Sequence, residues 1–300
     1  MRLNDSHCHF FSSRFLEILT QPVKDLPADG RAAAAAARIG WEDPADVPAL
    51  AARWREELDR HGVSRAALIA SIPGDEASVA EAVRLHPDRF AGFFMLNALA
   101  PDAPERLEKA LAEHALRCVC LFPAMHRYRL DDERVGRVFE GAARHGAAIF
   151  VHCGALTVGV RTKLGLPSPF DWRLGDPLGV AAVASAFPGV PVIIPHFGAG
   201  FFREALMAAD QCRTIHLDTS SSNAWMKYYP GLTLESVFRQ ALAVAGPERL
   251  LFGTDSSFFP RGWQKGIHEV QAKALDGLGV SDHDRAMIMG GNFDRLFPVR

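Results

Sequence analysis

The sequence predicts a closed (β/α)8 barrel, and three observations carry the prediction. Short apolar runs alternate with amphipathic, helix-type stretches through eight cycles. The runs are continuous rather than alternating polar and apolar, as parallel strands buried on both faces should be. The turn after the first run, Asp5-Ser6-His7-Cys8-His9, lacks the glycines that an open doubly wound sheet would place there for a phosphate. Three hundred residues, 48% of them hydrophobic, suffice for one such domain over residues 1–300.

The elements follow in order. Residues 2–6 open as a strand that runs into His7-Cys8-His9. Residues 21–43 then form an insertion too long for a simple βα turn, either a lid or an exposed excursion. Within it the alanines at 32–37 favour helix, and Gly40 and Pro44 end the pattern. A helix over 45–61 repeats Leu50, Trp54 and Leu58 at every fourth position. Strands are expected at 65–71, 90–96, 117–122 and 147–152, with helices at 76–85, 104–115 and 132–145 between them. A second insertion, 154–175, follows the fifth strand. Strands at 190–196, 214–218 and 250–255 alternate with helices at 177–186, 201–209, 234–245 and 264–278. The tail at 290–297 is expected to pack on the outer wall of the barrel.

Composition excludes several function classes. A net charge of −2 offers no electrostatic footprint for nucleic acid or an anionic membrane surface. No run is long and apolar enough to span a bilayer, and no basic region followed by an apolar stretch opens the chain. Cys8, Cys118, Cys120, Cys153 and Cys212 form no C-x-x-C pair and are odd in number, which reads as reduced thiols in a cytoplasm. The expected partner is a small molecule, with a homodimer possible.

In a (β/α)8 barrel the functional groups sit where strands end. His7 and His9 are separated by one residue, so on a strand both imidazoles leave the same face and can meet one ion. His152, His196 and Asp255 close the fifth, sixth and eighth strands. Each has a bland alternative: a lone strand-end histidine often satisfies backbone groups, and Asp255 could cap a helix. Together they suit one borderline divalent ion, zinc by default and manganese or iron otherwise, with a position left open for water. His216, on the seventh strand, is expected in the core or behind the ligands.

These residues resemble those of the amidohydrolase superfamily, in the branch containing aminocarboxymuconate-semialdehyde decarboxylase. The resemblance lies in Asp5-Ser6-His7-Cys8-His9, Phe150-Val151-His152, Ile194-Pro195-His196-Phe197-Gly198, Leu251-Phe252-Gly253-Thr254-Asp255 and the closing Gly291-Asn292-Phe293-Asp294-Arg295-Leu296-Phe297. It implies that His7, His9, His152 and Asp255 bind the metal. It further implies that His196 positions or deprotonates the attacking water, with Asp255 sharing the catalytic role. Many dinuclear relatives carry a carboxylated lysine at the end of strand four; here that stretch is Cys118-Val119-Cys120-Leu121-Phe122-Pro123. A single metal is therefore expected.

Substrate contacts are sought in the loops. Arginine beside aromatics suits a carboxylated ring, which points to Arg129, Trp225 and Arg261. The expected activity is mononuclear, metal-dependent hydrolysis of a small carboxylated amide or lactone. The alternative is nonoxidative decarboxylation of an aromatic or unsaturated acid.

Overall fold

A computed structural model describes residues 2–299. Eight parallel strands pair strictly in sequence order: β1 (Asn4–His9), β2 (Arg65–Ala70), β3 (Phe90–Leu96), β4 (Cys118–Leu121), β5 (Ala148–Val151), β6 (Val192–Ile194), β7 (Ile215–Asp218) and β8 (Leu250–Leu251). The seam between β8 and β1 is closed by backbone bonds. Ser6 N donates to Phe252 O at 2.9 Å, Asp255 N to His7 O at 2.9 Å and His9 N to Ser256 O at 2.7 Å. The expected (β/α)8 barrel is present.

The two-residue period of the strands divides the core. Alternate residues such as Ile69, Phe93, Cys120, Phe150 and Leu251 fill the barrel interior. Their neighbours, Leu68, Val119, Ile149 and Leu250, pack outward against the helices. The helix Val47–Arg60 starts at Asp46, whose side chain accepts from Ala49 N, and buries Leu50, Trp54 and Leu58. That is the face its four-residue repeat marks.

Four features differ from the sequence reading. β1 continues through His9 instead of ending at Ser6, so both histidines stand on the strand itself. β6 stops at Ile194, because Pro195 has no N–H for a ladder, and His196 and Phe197 take left-handed conformations (φ +55° and +51°). β8 is only two residues long, and Asp255 is likewise left-handed (φ +62°). The closing helix Asn292–Leu296 does not lie on the outer wall. Phe293 and Phe297 join the interior cluster, with the Phe297 ring centred 4.8 Å from that of Phe93 and tilted against it. Asp294 there pairs with Arg65 at the start of β2 (2.6 Å). The floor of the barrel is apolar and must be covered, and this helix covers it.

The connection after β1 carries the helices Ser13–Leu19 and Arg31–Arg38; the one after β5 carries Gly159–Lys163. The two connections pack on each other over the mouth, with Phe15, Leu16, Ala36, Ile39 and Trp41 against Val160 and Leu164. Among the described residues, no helix is long and apolar enough to cross a membrane.

Candidate metal centre

β1 and the turn after β8 bring three donors together. His9 Nε2 lies 3.1 Å and His7 Nε2 3.7 Å from Asp255 Oδ1. Ligands sharing one tetrahedral zinc at ordinary bond lengths sit roughly 3.4 Å apart, so these separations suit one ion. Each histidine keeps its other nitrogen occupied. His7 Nδ1 donates to Asp218 Oδ2 at 2.8 Å, and His9 Nδ1 bonds Ser71 Oγ at 2.6 Å. Both Nε2 lone pairs are thereby left for a ligand role. The His152 ring lies 5.3 Å from that of His196, and its buried Nδ1 has no hydrogen-bond partner. A buried, unpartnered imidazole nitrogen that feels the Asp255 charge fits the role of a metal ligand.

The backbone around these groups is held by a second buried carboxylate. Asp5 Oδ1 accepts from His7 N (2.9 Å) and Thr254 N (3.1 Å). Its Oδ2 accepts from Thr254 Oγ1 (2.5 Å) and Trp263 Nε1 (2.7 Å). Asp5 thus ties the ligand-bearing ends of β1 and β8 together. Gly253 permits their close approach: a Cβ there would lie 3.0 Å from the Cβ atoms of both His7 and Ser220.

Electrostatics favour the metal-binding protonation states. Burial opposes the charge of Asp255, yet the His9 hydrogen bond and the facing His7 and His9 rings hold its carboxyl well below the usual range. Burial, reinforced by His196 and His7, keeps His152 well below the ordinary imidazole value. Burial also lowers His9 and His196. His7 moves the other way, because Asp218 outweighs its burial. An ionised carboxylate among mostly neutral imidazoles is the form a divalent ion selects.

His196 stands beside this cluster, its ring 4.9 Å from that of His7. Its Nδ1 faces Ser220 Oγ at 2.9 Å and the Ser220 carbonyl at 3.3 Å. A carbonyl only accepts, so the ring proton belongs on Nδ1 and Nε2 keeps a lone pair. A family model described as amidohydrolase matches residues 4–299. The chain belongs to the amidohydrolase family.

Solved structures of similar fold agree at low identity. An uncharacterised TIM-barrel protein from Bordetella bronchiseptica is 19% identical, with TM-score 0.67 over 99% of this chain and 98% of its own. The 5-carboxyvanillate decarboxylase of Sphingomonas paucimobilis is 16% identical, with TM-score 0.66 over 100% and 99%. An amidohydrolase from Burkholderia multivorans with bound zinc is 15% identical, with TM-score 0.65 over the full length of both chains. No curated protein sequence matches.

In this amidohydrolase a cavity of about 460 Å³ opens over the cluster. His7, His9, His152, His196 and Asp255 all line it, as does Arg261, whose Nη2 donates to Ser257 Oγ (2.5 Å) and Asp255 O (3.2 Å). Two expected substrate contacts do not line it. Arg129 is exposed and held by Asp131 through two bonds of 2.8 and 2.7 Å. Trp225 is buried against Phe202 and Tyr229 and donates to Asn223 Oδ1 at 2.9 Å. Both follow strand ends in sequence, but their loops turn them away from the mouth. Cys118 and Cys120 are buried in the barrel interior, and His216 bonds the Thr214 carbonyl at 3.0 Å, away from the cavity.

Asp218, Ser220 and Ser71 escaped the sequence reading. The available signal was weak: Asp218 closes β7, and Ser71 stands just past β2. Replacing Asp218 with Asn should weaken metal binding by roughly 10–100-fold, since the carboxylate fixes the His7 tautomer and orientation. Ion content after dialysis against a graded chelator series measures this. Retention equal to wild type would mean that packing alone orients His7.

Proposed function

We propose that this amidohydrolase is a mononuclear metal-dependent hydrolase of a small carboxylated amide or lactone. The observation that carries the reading is His196. It lines the cavity shared with the His7–His9–Asp255 cluster, its Nδ1 taken up by Ser220, where a purely structural ion would need no such neighbour. Strand four supports a single ion: its cysteines are buried, and desolvation pushes the Cys118 thiol well up, against thiolate ligation. Zinc is the expected metal, with manganese or iron as substitutes. The five free, buried cysteines suit a reducing cytoplasm.

A bound divalent ion would polarise the substrate carbonyl and acidify the attacking water. His196 Nε2 takes a proton from that water as its oxygen joins the carbonyl carbon. The same nitrogen returns the proton to the leaving oxygen or nitrogen as that bond breaks. Arg261, at the cavity rim, holds the substrate's acid group.

Decarboxylation is the second reading, favoured by the aromatic lining. Phe11, Trp41 and Phe258 line the cavity and stack on one another with interplanar angles of 6° and 12°, an apolar neighbourhood suited to an unsaturated acid. The zinc-loaded enzyme should release acid from carboxylated lactones or amides, incorporate oxygen from labelled water into the product and evolve no CO2. CO2 release from aromatic acids without oxygen incorporation would move the assignment to decarboxylase.

A further inference from the structure

Among the described residues, Lys163 and Arg261 are the only lysine and arginine lining the cavity, and they come from different loops. Lys163 ends the helix Gly159–Lys163 in the connection after β5, and Arg261 follows β8. Both sit against the same ring: Arg261 Cζ lies 4.5 Å from the Phe258 centroid and Lys163 Nζ 5.8 Å. Among the described residues neither forms an ion pair with a carboxylate. Elsewhere on the same face of the barrel, Arg129 and Arg173 are held by Asp131 and Asp171. The bonds Lys163 and Arg261 do make are to neutral oxygens. Lys163 Nζ donates to Ile39 O at a long 3.3 Å, and Arg261 donates to Ser257 Oγ and Asp255 O.

Among the described residues, Asp255 is the only carboxylate lining the cavity. With a divalent ion seated, two unpaired cations remain that one substrate acid group cannot neutralise. A neutral sugar-type ring or a monoacid would leave Lys163 on the Ile39 carbonyl. A second carboxylate would give it a charge-assisted partner, roughly twice as strong as a neutral hydrogen bond. A cavity of about 460 Å³ accommodates a single substituted ring, and the stacked Phe11, Trp41 and Phe258 give it an aromatic lining.

We propose that the substrate is a small cyclic diacid, with Arg261 gripping one acid group and Lys163 selecting for the second. The inference rests on the metal-dependent reading above. Lys163 is thus the specificity residue of the site, supplied by the connection after β5 and parked between substrates on the connection after β1.

Calorimetric titration of the zinc-loaded protein with isophthalate and with benzoate tests this without turnover. Isophthalate should bind at least about tenfold more tightly, the least expected of one charged hydrogen bond. Lys163→Ala should abolish that advantage and leave benzoate affinity within about twofold, while Lys163→Arg should retain most of it. Equal affinity for the two acids overturns the proposal, as does an isophthalate advantage that survives Lys163→Ala. Turnover separates the two levels of the argument. Hydrolysis of monoacids with no diacid preference overturns this inference alone. Diacid selectivity in a protein that hydrolyses nothing overturns the reaction assignment alone.

Discussion

Replacing His7 and His9 together with alanine should take the divalent-ion content of the purified protein from about one per chain to less than about a tenth. Turnover should disappear with the ion. The expected effect is large because the two residues supply two of the three donors that converge at 3.1 and 3.7 Å. Asp255 and His152 by themselves are a poor anchor for a borderline ion. The fold should survive, since both side chains point into the mouth and the β1 ladder to β2 is made by backbone groups. Elemental analysis without added metal or chelator, beside circular dichroism of both proteins, reads content and fold together. Two ions per wild-type chain would require a second site, for which His7, His196 and Asp218 are a candidate group. An ion-free wild type that also resists reconstitution would remove the mechanism and leave the barrel standing.

Replacing His196 with asparagine should separate binding from chemistry. Asn keeps a polar head near Ser220 but has no basic nitrogen, so the ion should stay while kcat falls by about 10²–10⁴. Ion content and kcat measured on one preparation decide the matter. A variant that loses its ion would make His196 a ligand rather than a proton carrier. A near-wild-type rate would shift proton transfer to Asp255, whose side chain is one-third exposed to the cavity.

Much of the site was legible because barrel topology translates sequence position into place. A strand-end residue must reach the mouth, so His7, His9, His152, His196 and Asp255 could be grouped from alternation alone, and all five line one cavity. What escaped were contacts fixed by side-chain direction and loop path. Asp218 sits behind His7 because β7 turns its last side chain inward, and one aspartate at a strand end announces nothing of the kind. Arg129 and Trp225 occupy the right loops, but the first is claimed by Asp131 and the second by an aromatic cluster. Lys163 is one of three cations in its insertion, with Arg161 and Arg173, and nothing in the sequence ranks it above them; the packing of that insertion onto Ile39 and Trp41 carries it to the cavity.

The sequence by itself determined the eightfold alternation, the residues at the strand ends and the absence of a bridging lysine on strand four. All of these follow from local periodicity and covalent order. The tertiary structure alone decided which donors converge, which carboxylate stands behind them and which cations face the substrate. Those relations join residues as distant as Asp5 and Trp263, or His7 and Asp218. Distances of about 3 Å across such separations are set by the closure of the barrel and by buried hydrogen bonding, not by any local pattern.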